Sequence, residues 1–366
     1  MSKSLWTNME IEGATNAHTD GRKWSASGVS IDSRKVQPKD IFIAFRGTRV
    51  DGHCYVADAF EKGAAAAIVE RKIDGLSEES PILIVANVQK ALVQIACLAR
   101  NRSEAEFVAV TGSVGKTSSK NLLAKALAQF DSVHATIGNL NNHIGAPLSL
   151  ARLNGSSRFA VFELGMNSAG EITFLSSLIR PKVALITNVH GVHLEQLKTE
   201  RAIAEAKSEV FNGLLENGSV VLNQDNPWID FLKSRAEKRG IKNIITFGED
   251  KKSDVQLLEW QSGDGKSLVK IQLNNETHQY VLSETGKHRA LNSVGVLAVV
   301  HALGLDIQHA AKCFKSISTP VGRGGQKDIN LTTGETFCLV DESYNASPVA
   351  MKSAFSVLKS MKPGPG

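Results

Sequence analysis

The chain has 366 residues, of which 42% are hydrophobic and 22% charged, and its net charge at pH 7 is +5. This composition is ordinary for a soluble globular enzyme, and the length predicts roughly two or three domains. The positive charge is dispersed, and no basic block marks a nucleic-acid-binding surface. We therefore exclude nucleic acid as a partner, whereas a mild positive surplus suits an anionic substrate.

Cysteine usage and apolar runs indicate where the protein works. The four cysteines lie far apart and form no CxxC pair, which indicates a reducing compartment; they are Cys54, Cys97, Cys313 and Cys338. The first residues lack the apolar core of a secretion signal, and no run approaches membrane-spanning length. We expect a cytoplasmic monomer that binds no membrane.

Residues 1–103 predict a small N-terminal α/β domain, because short apolar runs alternate with helical patterns. Strand-like runs occupy 38–47, 64–70 and 82–85, and helical patterns occupy 56–62 and 90–102. Polar and basic side chains at strand ends could hold an anionic ligand; they are Ser33, Arg34 and Arg46. On composition alone, simple solvation of these arginines remains the alternative.

Residues 107–117 predict a phosphate-binding loop. An apolar strand at 107–110 is followed by a small-residue turn at 111–115, and Lys116 and Thr117 open a helix with an apolar face. Backbone N–H groups and a helix N-terminus surround a phosphate in this geometry. Lys116 would reach the outer phosphates and Thr117 would ligate Mg²⁺. The usual loop has glycine where this chain has Val110, and the alternative is a plain turn with a solvated lysine.

Residues 104–325 predict a central P-loop-type domain. Strand candidates at 160–162, 183–186, 220–222 and 244–247 alternate with helical patterns, which indicates a mostly parallel sheet covered by helices. Runs at 255–260, 268–273 and 278–282 are separated by turn residues and predict antiparallel strands added to the sheet edge. A further helix is expected at 288–303.

Residues 326–366 predict the last strand and helix of the central domain, at 337–340 and 351–361, followed by a linker. The final Lys-Pro-Gly-Pro-Gly is typical of an interdomain linker. We therefore expect a truncated chain that lacks a C-terminal domain.

Two strand ends carry candidate metal ligands. Glu163 ends an apolar strand, where a carboxylate is costly unless it binds a metal or a cation, and Thr117 would share its Mg²⁺. The alternative is an exposed acid at a strand end. The stretch 188–195 follows the next strand and should reach the same edge, so His193, in preference to His190, is a candidate second ligand or phosphate contact.

Lys207 falls on the apolar face of a helix predicted at 200–215, by its spacing from 203, 210, 211 and 214. A lysine on an inward face must find a partner or lose its charge. As a neutral amine it could take up CO₂ and hold a second Mg²⁺ as a carbamate. Spacing alone favours the alternative, a lysine paired with Glu205 or Glu209.

Several of these motifs together resemble the Mur ligases, ATP-dependent amide-bond-forming enzymes of peptidoglycan synthesis. They are Thr-Gly-Ser-Val-Gly-Lys-Thr at 111–117, Asn-Asn-His-Ile-Gly-Ala-Pro at 141–147, Glu-Leu-Gly-Met-Asn at 163–167, His-Leu-Glu at 193–195 and Ala-Lys-Ser-Glu at 206–209. The stretch 341–348 is similar to the D-x-x-Y-N-A-N-P signature of one member, with Ser347 in place of Asn. That member joins D-alanyl-D-alanine to UDP-N-acetylmuramoyl-tripeptide. Residues 32–34 and 46–52 resemble the UDP-sugar-binding domain of the family.

The resemblance implies a role for each matching residue. ATP phosphates would be held by the loop, namely Gly112, Ser113, Val114, Gly115, Lys116, Thr117 and Ser118. Thr117 and Glu163 would bind a first Mg²⁺, and His193 and a carbamylated Lys207 would serve a second. Asn292 would face adenine, and Arg323 and Asp341 would contact phosphate and ribose. The UDP moiety would lie by Ser33, Arg34 and Arg46.

The resemblance also implies the reaction, in which ATP converts a substrate carboxylate to an acyl phosphate that the D-alanyl-D-alanine amine attacks. Two alternatives stay open: a truncated fragment that binds nucleotide or UDP-sugar without turnover, and another Mur-type or folylpolyglutamate-type ligase. The Tyr-Asn-Ala sequence at 344–346 argues against a folate ligase. The third residue of the bound peptide is diaminopimelate or lysine.

Overall fold

A computed structural model describes residues 4–19, 21–192, 194–263, 265–317, 321–344 and 347–361. The chain divides into two compact units, one made of Met1–Ala105 with Thr136–Arg158 and the other of Glu106–Ala135 with Phe159–Gly366. Sequence reasoning assigns residues 136–158 to the central domain, whereas in the structure they pack into the first unit. Within the described ranges, none of the helices is both long and apolar enough to cross a membrane.

The elements follow one another along the chain as helices, strands and short 3-10 turns. The strands are β1 (Trp6–Thr7), β2 (Ser25–Ala26), β3 (Gly28–Ser30), β4 (Asp40–Ile43), β5 (Ala66–Val69), β6 (Ile82–Ile84), β7 (Glu106–Thr111), β8 (Val133–Ala135), β9 (Phe159–Glu163), β10 (Val183–Ile186), β11 (Ser219–Asn223), β12 (Asn243–Gly248), β13 (Val255–Gly263), β14 (Lys266–Leu273), β15 (Glu276–Leu282), β16 (Gly325–Asn330) and β17 (Thr336–Asp341). The helices are α1 (Asn8–Thr15), α2 (Val56–Glu61), α3 (Val88–Asn101), α4 (Lys116–Leu127), α5 (Gly145–Ala151), α6 (Glu171–Ile179), α7 (Leu194–Leu197), α8 (Glu200–Ser208), α9 (Ile229–Lys238), α10 (Lys287–Ala302), α11 (Ile307–Ala311) and α12 (Pro348–Ser360).

The first unit is built on a parallel sheet in the order β3-β4-β5-β6. All four residues of β4 and of β5 are buried, as expected for strands covered on both faces. Helix α5 joins this unit because it packs against α3, and the indole N–H of Trp6 donates a 2.8 Å hydrogen bond to the carbonyl of Ala151. Arg152 follows α5 and donates from Nε to the carbonyl of Val29 in β3, at 2.6 Å.

The second unit is built on a nine-stranded sheet in the order β15-β14-β13-β12-β11-β10-β7-β9-β8. Along the sheet from β8 through β9, β7, β10, β11 and β12 to β13, neighbouring strands pair in parallel. β14 pairs antiparallel with β13, and β15 pairs antiparallel with β14. This confirms the predicted α/β fold, a mostly parallel sheet with antiparallel strands at its edge. Strand β7 lies between β10 and β9, so the residues that follow these three strands meet at one sheet edge.

The core of the second unit lies between the sheet and helices α4 and α10. The predicted apolar face of α4 is buried, namely Leu122, Leu123, Ala126 and Leu127. Helix α10 packs against α4 and β12, and a Cβ on its Gly295 would lie 2.9 Å from the ring of Phe247. The first turn of α4 is therefore fixed by packing further along the helix.

Two elements differ in detail from the sequence prediction. The helix expected at 200–215 ends at Ser208 and tightens into a 3-10 turn, Glu209–Gly213. The strand expected at 337–340 pairs antiparallel with β16 in a separate two-stranded sheet. Its outward residues Phe337 and Leu339 are both 46% exposed.

Candidate active site

Two glycines give the loop between β7 and α4 its shape. Gly112 has a φ of 148° and Gly115 a φ of 82°, values that side chains disfavour. A Cβ on Gly112 would collide with Oγ1 of Thr187, and one on Gly115 would lie 2.8 Å from Oδ1 of Asn292. The loop therefore passes too close to its neighbours for any residue other than glycine at these two positions.

The residues that follow β10 hold the front of the loop. The amide of Ser113 donates to the carbonyl of Asn188 at 3.0 Å, and the amide of Val114 donates to its Oδ1 at 3.0 Å. Thr187 Oγ1 donates to the carbonyl of Val114 at 2.7 Å. His190, which sequence reasoning set aside, donates its backbone N–H to Ser113 Oγ at 2.9 Å. The amides of Ser113 and Val114 thus shape the loop.

The first turn of α4 contributes backbone N–H groups that have no acceptor within the helix. The amide of Ser119 donates to the carbonyl of Gly115 at 2.8 Å, so the amides of Lys116, Thr117 and Ser118 precede the intrahelical ladder. These N–H groups and the positive end of the helix dipole form an anion site.

Lys116 bends back over the loop, where Nζ donates to the carbonyls of Gly112 at 2.8 Å and Ser113 at 3.2 Å. Burial lowers the pKa of Lys116; the carboxylate of Glu163 opposes this shift and the guanidinium of Arg323 adds to it. Glu163 ends β9 and is 2% exposed. Lys116 and the carboxylate of Glu163 are therefore close enough to interact electrostatically.

Lys120 is a basic residue that sequence reasoning missed. It is 2% exposed, and burial lowers its pKa, with Glu163 opposing the shift and Arg323 adding to it. It lies four residues after Lys116, on the same face of α4. That spacing was the available signal, but an isolated lysine in a helix is usually solvated.

Lys207 is buried, as its helical spacing predicts, with an exposure of 2%. Burial lowers its pKa well below the ordinary lysine value, and the positive charge of Lys116 adds to the effect. The two carboxylates considered as partners are engaged elsewhere: Glu205 with Arg201 at 3.4 Å, and Glu209 with the backbone N–H of Gly170 at 2.6 Å. Burial and the nearby charge of Lys116 therefore both disfavour the charged form of Lys207.

The described candidate ligands of this site are oxygen donors, the kind that Mg²⁺ prefers. Among the described residues, no group of three or more His, Cys, Asp and Glu side chains could hold a metal ion. Mg²⁺ needs less from a protein, because it is commonly bound by one or two oxygen ligands together with substrate phosphates. Thr117 and Glu163 offer such oxygens. The predicted ligand His193 lies outside the described residues.

Of the three other residues that the resemblance assigns to the nucleotide, Arg323 and Asn292 contact this loop and turn. Arg323 donates from Nη2 to Thr117 Oγ1 at 3.1 Å, and its guanidinium lies 4.1 Å from the centre of the Tyr344 ring. Asn292 lies against Gly115 of the loop. Asp341 is half-buried; its carboxylate accepts a 3.0 Å hydrogen bond from the Ser343 amide, and hydrogen bonds from Ser343 lower its pKa.

In the first unit, the three predicted UDP contacts lie on two turns. Arg34 forms a two-pronged pair with the carboxylate of Asp32 at 2.9 Å, which lowers the pKa of Asp32 to about 2. Ser33 accepts a hydrogen bond from Lys62 Nζ at its carbonyl, at 2.8 Å. Arg46 pairs through its backbone with Asp51.

Asp51 organises the second of these turns. Its carboxylate contacts Nδ1 of buried His53 at 2.6 Å and Nη2 of Arg71 at 3.0 Å. The His53 amide is the first cause of a lowered pKa at Asp51. Nε2 of His53 accepts the amide of Glu70 at 2.9 Å. The Asp-Gly-His sequence therefore ties this turn to β5.

Comparisons with known proteins agree with this architecture. Residues 110–300 match the Mur ligase middle domain, and residues 25–100 match the catalytic domain of the Mur ligase family. The chain is 37% identical to the UDP-N-acetylmuramoyl-tripeptide–D-alanyl-D-alanine ligase of Rickettsia prowazekii, over 90% of this chain and 72% of that relative.

Solved structures extend the match to the fold. MurF from Acinetobacter baumannii superposes with a TM-score of 0.85 at 29% identity, covering 98% of this chain and 77% of that one. MurF from Thermotoga maritima, in complex with ADP, superposes with a TM-score of 0.75 at 29% identity, covering 91% of this chain and 75% of that one. The chain therefore belongs to the Mur ligase family.

Proposed function

We propose that this protein is a UDP-N-acetylmuramoyl-tripeptide–D-alanyl-D-alanine ligase of peptidoglycan synthesis that consumes ATP. The observation that carries the proposal is the anion site at the first turn of α4, with Lys116 and buried Glu163 beside it, in a chain 37% identical to a ligase of that name. ADP in the Thermotoga maritima relative supports ATP as the nucleotide.

The reaction needs two displacements. A carboxylate oxygen of the tripeptide attacks the γ-phosphorus of ATP, the bond to the β,γ-bridging oxygen breaks, and ADP leaves. The amine of D-alanyl-D-alanine then attacks the acyl carbon, loses a proton, and expels phosphate from the tetrahedral intermediate. Both steps use nucleophiles supplied by the substrates, so the protein has to position reactants and stabilise charge.

The first turn of α4 performs the charge stabilisation. The amides of Lys116, Thr117 and Ser118 donate to phosphate oxygens, and Lys116 exchanges the loop carbonyls of Gly112 and Ser113 for the outer phosphates. Because Lys116 is desolvated before the nucleotide arrives, its charge acts in a medium of low dielectric constant.

Two Mg²⁺ ions would complete the site. Thr117 and Glu163 would hold the first, and His193 and Lys207 would serve the second. Bound Mg²⁺ supplies neutralisation of phosphate charge. Lys207 suits this role because burial favours its uncharged form, whose amine can attack CO₂, forming an N–C bond and releasing a proton, to give an anionic carbamate.

The remaining expected contacts follow the same logic. Arg323 already lies at Thr117, within reach of a phosphate on that turn. Asn292 would contact adenine and Asp341 ribose, while Ser33, Arg34 and Arg46 would contact the UDP moiety of the other substrate in the first unit.

A phosphate-release assay tests the function. With ATP, Mg²⁺, UDP-N-acetylmuramoyl-tripeptide and D-alanyl-D-alanine together, phosphate should be released and the joined pentapeptide product detected by mass spectrometry. Lys116→Met should lower the rate by about 100-fold or more, because it removes a charge aimed at the transferred phosphoryl group. Lys125→Met is the matched control, an exposed lysine on the same helix, and should retain the wild-type rate.

Phosphate release that does not depend on the UDP-linked tripeptide would contradict the ligase assignment. If the protein binds ATP and the UDP-linked tripeptide but does not join D-alanyl-D-alanine to it, the result would support a fragment that binds ligands without catalysis.

A further inference from the structure

We propose that Arg289 is a positioning residue for the nucleotide: its buried guanidinium holds Arg323 against the first turn of α4. The inference rests on the proposed function in taking a Mg²⁺-bound nucleotide as the ligand of that turn. Neither Arg289 nor its partner Glu284 was predicted as a site residue from the sequence.

Three contacts fix the Arg289 side chain, which is 8% exposed. Nη1 donates to Ser118 Oγ at 2.7 Å and lies 3.3 Å from Oε1 of buried Glu284. Nη2 donates to the backbone carbonyl of Arg323. One guanidinium therefore joins the first turn of α4, the segment 321–324 and the start of α10, all within the second unit.

The side chain of Arg323 contacts the same first turn of α4. Its Nη2 donates to Thr117 Oγ1 at 3.1 Å, and Thr117 is the chain neighbour of Ser118. Arg289 thus holds the backbone of Arg323 while the Arg323 guanidinium lies at the residue expected to meet phosphate and metal. The face of Tyr344, 4.1 Å from the Arg323 guanidinium carbon, restricts the remaining freedom of this side chain.

The backbone on both sides of Arg323 is adapted to this arrangement. Gly324 has a φ of 85°, and a Cβ there would lie 2.9 Å from Glu342 Oε1 and 3.5 Å from Arg289 Nη2. Gly322 has a φ of 73°, and a Cβ there would lie 2.9 Å from Cβ of Tyr344. Larger residues at either position would push the segment away from Arg289.

The planar, forked shape of the guanidinium is what this role requires. A lysine at 289 would keep a positive charge beside Glu284, but one ammonium group cannot reach Ser118 and the Arg323 carbonyl with the same geometry. Arg289→Lys therefore loosens Arg323 without leaving the buried carboxylate of Glu284 unpaired.

A double-mutant cycle tests the proposal. The dissociation constant of the Mg²⁺ complex of a nonhydrolysable ATP analogue is measured by calorimetry for the wild type, Arg289→Lys, Arg323→Gln and the double variant. Arg289→Lys should weaken binding by about tenfold when Arg323 is present, because charge-assisted hydrogen bonds are lost. In the Arg323→Gln background the same change should cost less than about threefold, because its effect acts through Arg323.

Two further variants guard against a purely structural effect. Ser118→Ala leaves the buried ion pair intact and should weaken nucleotide binding by about threefold, again only when Arg323 is present. Tyr280→Phe removes the buried 2.7 Å hydrogen bond between Tyr280 and Ser293 of α10; it should lower the melting temperature without changing nucleotide affinity.

Equal losses in both Arg323 backgrounds, or unchanged nucleotide affinity in Arg289→Lys and Ser118→Ala, would overturn the proposal. The measurement needs no UDP-linked substrate. A wild-type protein that binds the nucleotide but joins no D-alanyl-D-alanine would therefore refute the ligase function and leave this inference testable.

Discussion

Selected charged side chains in the two units of the chain differ in their surroundings. In the first, the two turns described above carry acids paired with near neighbours: Asp32 with Arg34, and Asp51 with His53 and Arg71. In the second, three lysines lie where desolvation disfavours their charge and lowers their pKa: Lys116, Lys120 and Lys207.

The charges of the first group stabilise a turn, whereas those of the second are expected to interact with an anionic ligand. A local ion pair such as Asp32 with Arg34 holds the conformation of its turn. It contributes little to the free energy of unfolding, because it is exposed to solvent. A desolvated lysine gains strongly when an anion arrives, because the interaction takes place at low dielectric constant. Phosphate chemistry is therefore expected where these desolvated lysines lie together, at α4 and Lys207.

The largest effect is expected from removing the amine of Lys207, one of the desolvated lysines of the second unit. Lys207→Met should lower the ligase rate by about 100-fold, because the carbamate proposed to serve a metal can no longer form. In the wild type, ¹³CO₂ should give a carbamate NMR signal that the variant lacks. The lowered pKa keeps the amine neutral at lower pH than an ordinary lysine, so the signal should persist at neutral pH. Lys238→Met, at an exposed lysine on α9, is the control; an unchanged rate and no signal would refute the role.

A medium effect is expected from filling the loop. Gly115→Ala forces a side chain into a φ of 82° and against Asn292, so nucleotide affinity should fall by about tenfold, with a loss of about 1–2 kcal/mol in the free energy of unfolding. Gly170→Ala shares the positive φ but meets nothing within 4 Å. It should show the stability loss alone, and equal nucleotide affinities in the two variants would contradict the loop argument.

The smallest effect is expected from removing the carboxylate of Asp32, which is paired with Arg34 in the first unit. The Arg34 guanidinium lowers the pKa of Asp32 from 3.8 to about 2, so this carboxylate stabilises the folded state above pH 4 and loses that contribution as the pH falls towards 2. Asp32→Asn should flatten the acid limb of the stability curve there and change the free energy of unfolding at pH 7 by less than about 1 kcal/mol. Asp74→Asn, at an exposed acid, should leave the acid limb as in the wild type.

Local periodicity explains why the sheet could be predicted from sequence. The runs at 107–110 and 183–186 became β7 and β10 because buried parallel strands are apolar throughout. The same reasoning placed Lys207 on an inward helix face, where the structure also has it.

Long-range contacts explain what the sequence did not reveal. Arg289 and Lys120 look like ordinary exposed helix residues, and only the folded chain brings Arg289 to Ser118 and Lys120 near Glu163. The apolar pattern of 145–151 fits a helix in either unit, so its place beside α3 could not be read from spacing.

The first unit is assembled from two separate stretches of chain, and this affects how it can form. During synthesis, residues 1–105 leave the ribosome well before α5, whose Ala151 carbonyl accepts the indole proton of Trp6. Until then the hydrophobic surface around Trp6, which is fully buried in the finished fold, has no cover from α5. Protease excision at residue 103 would therefore release a fragment that has lost part of its own interior.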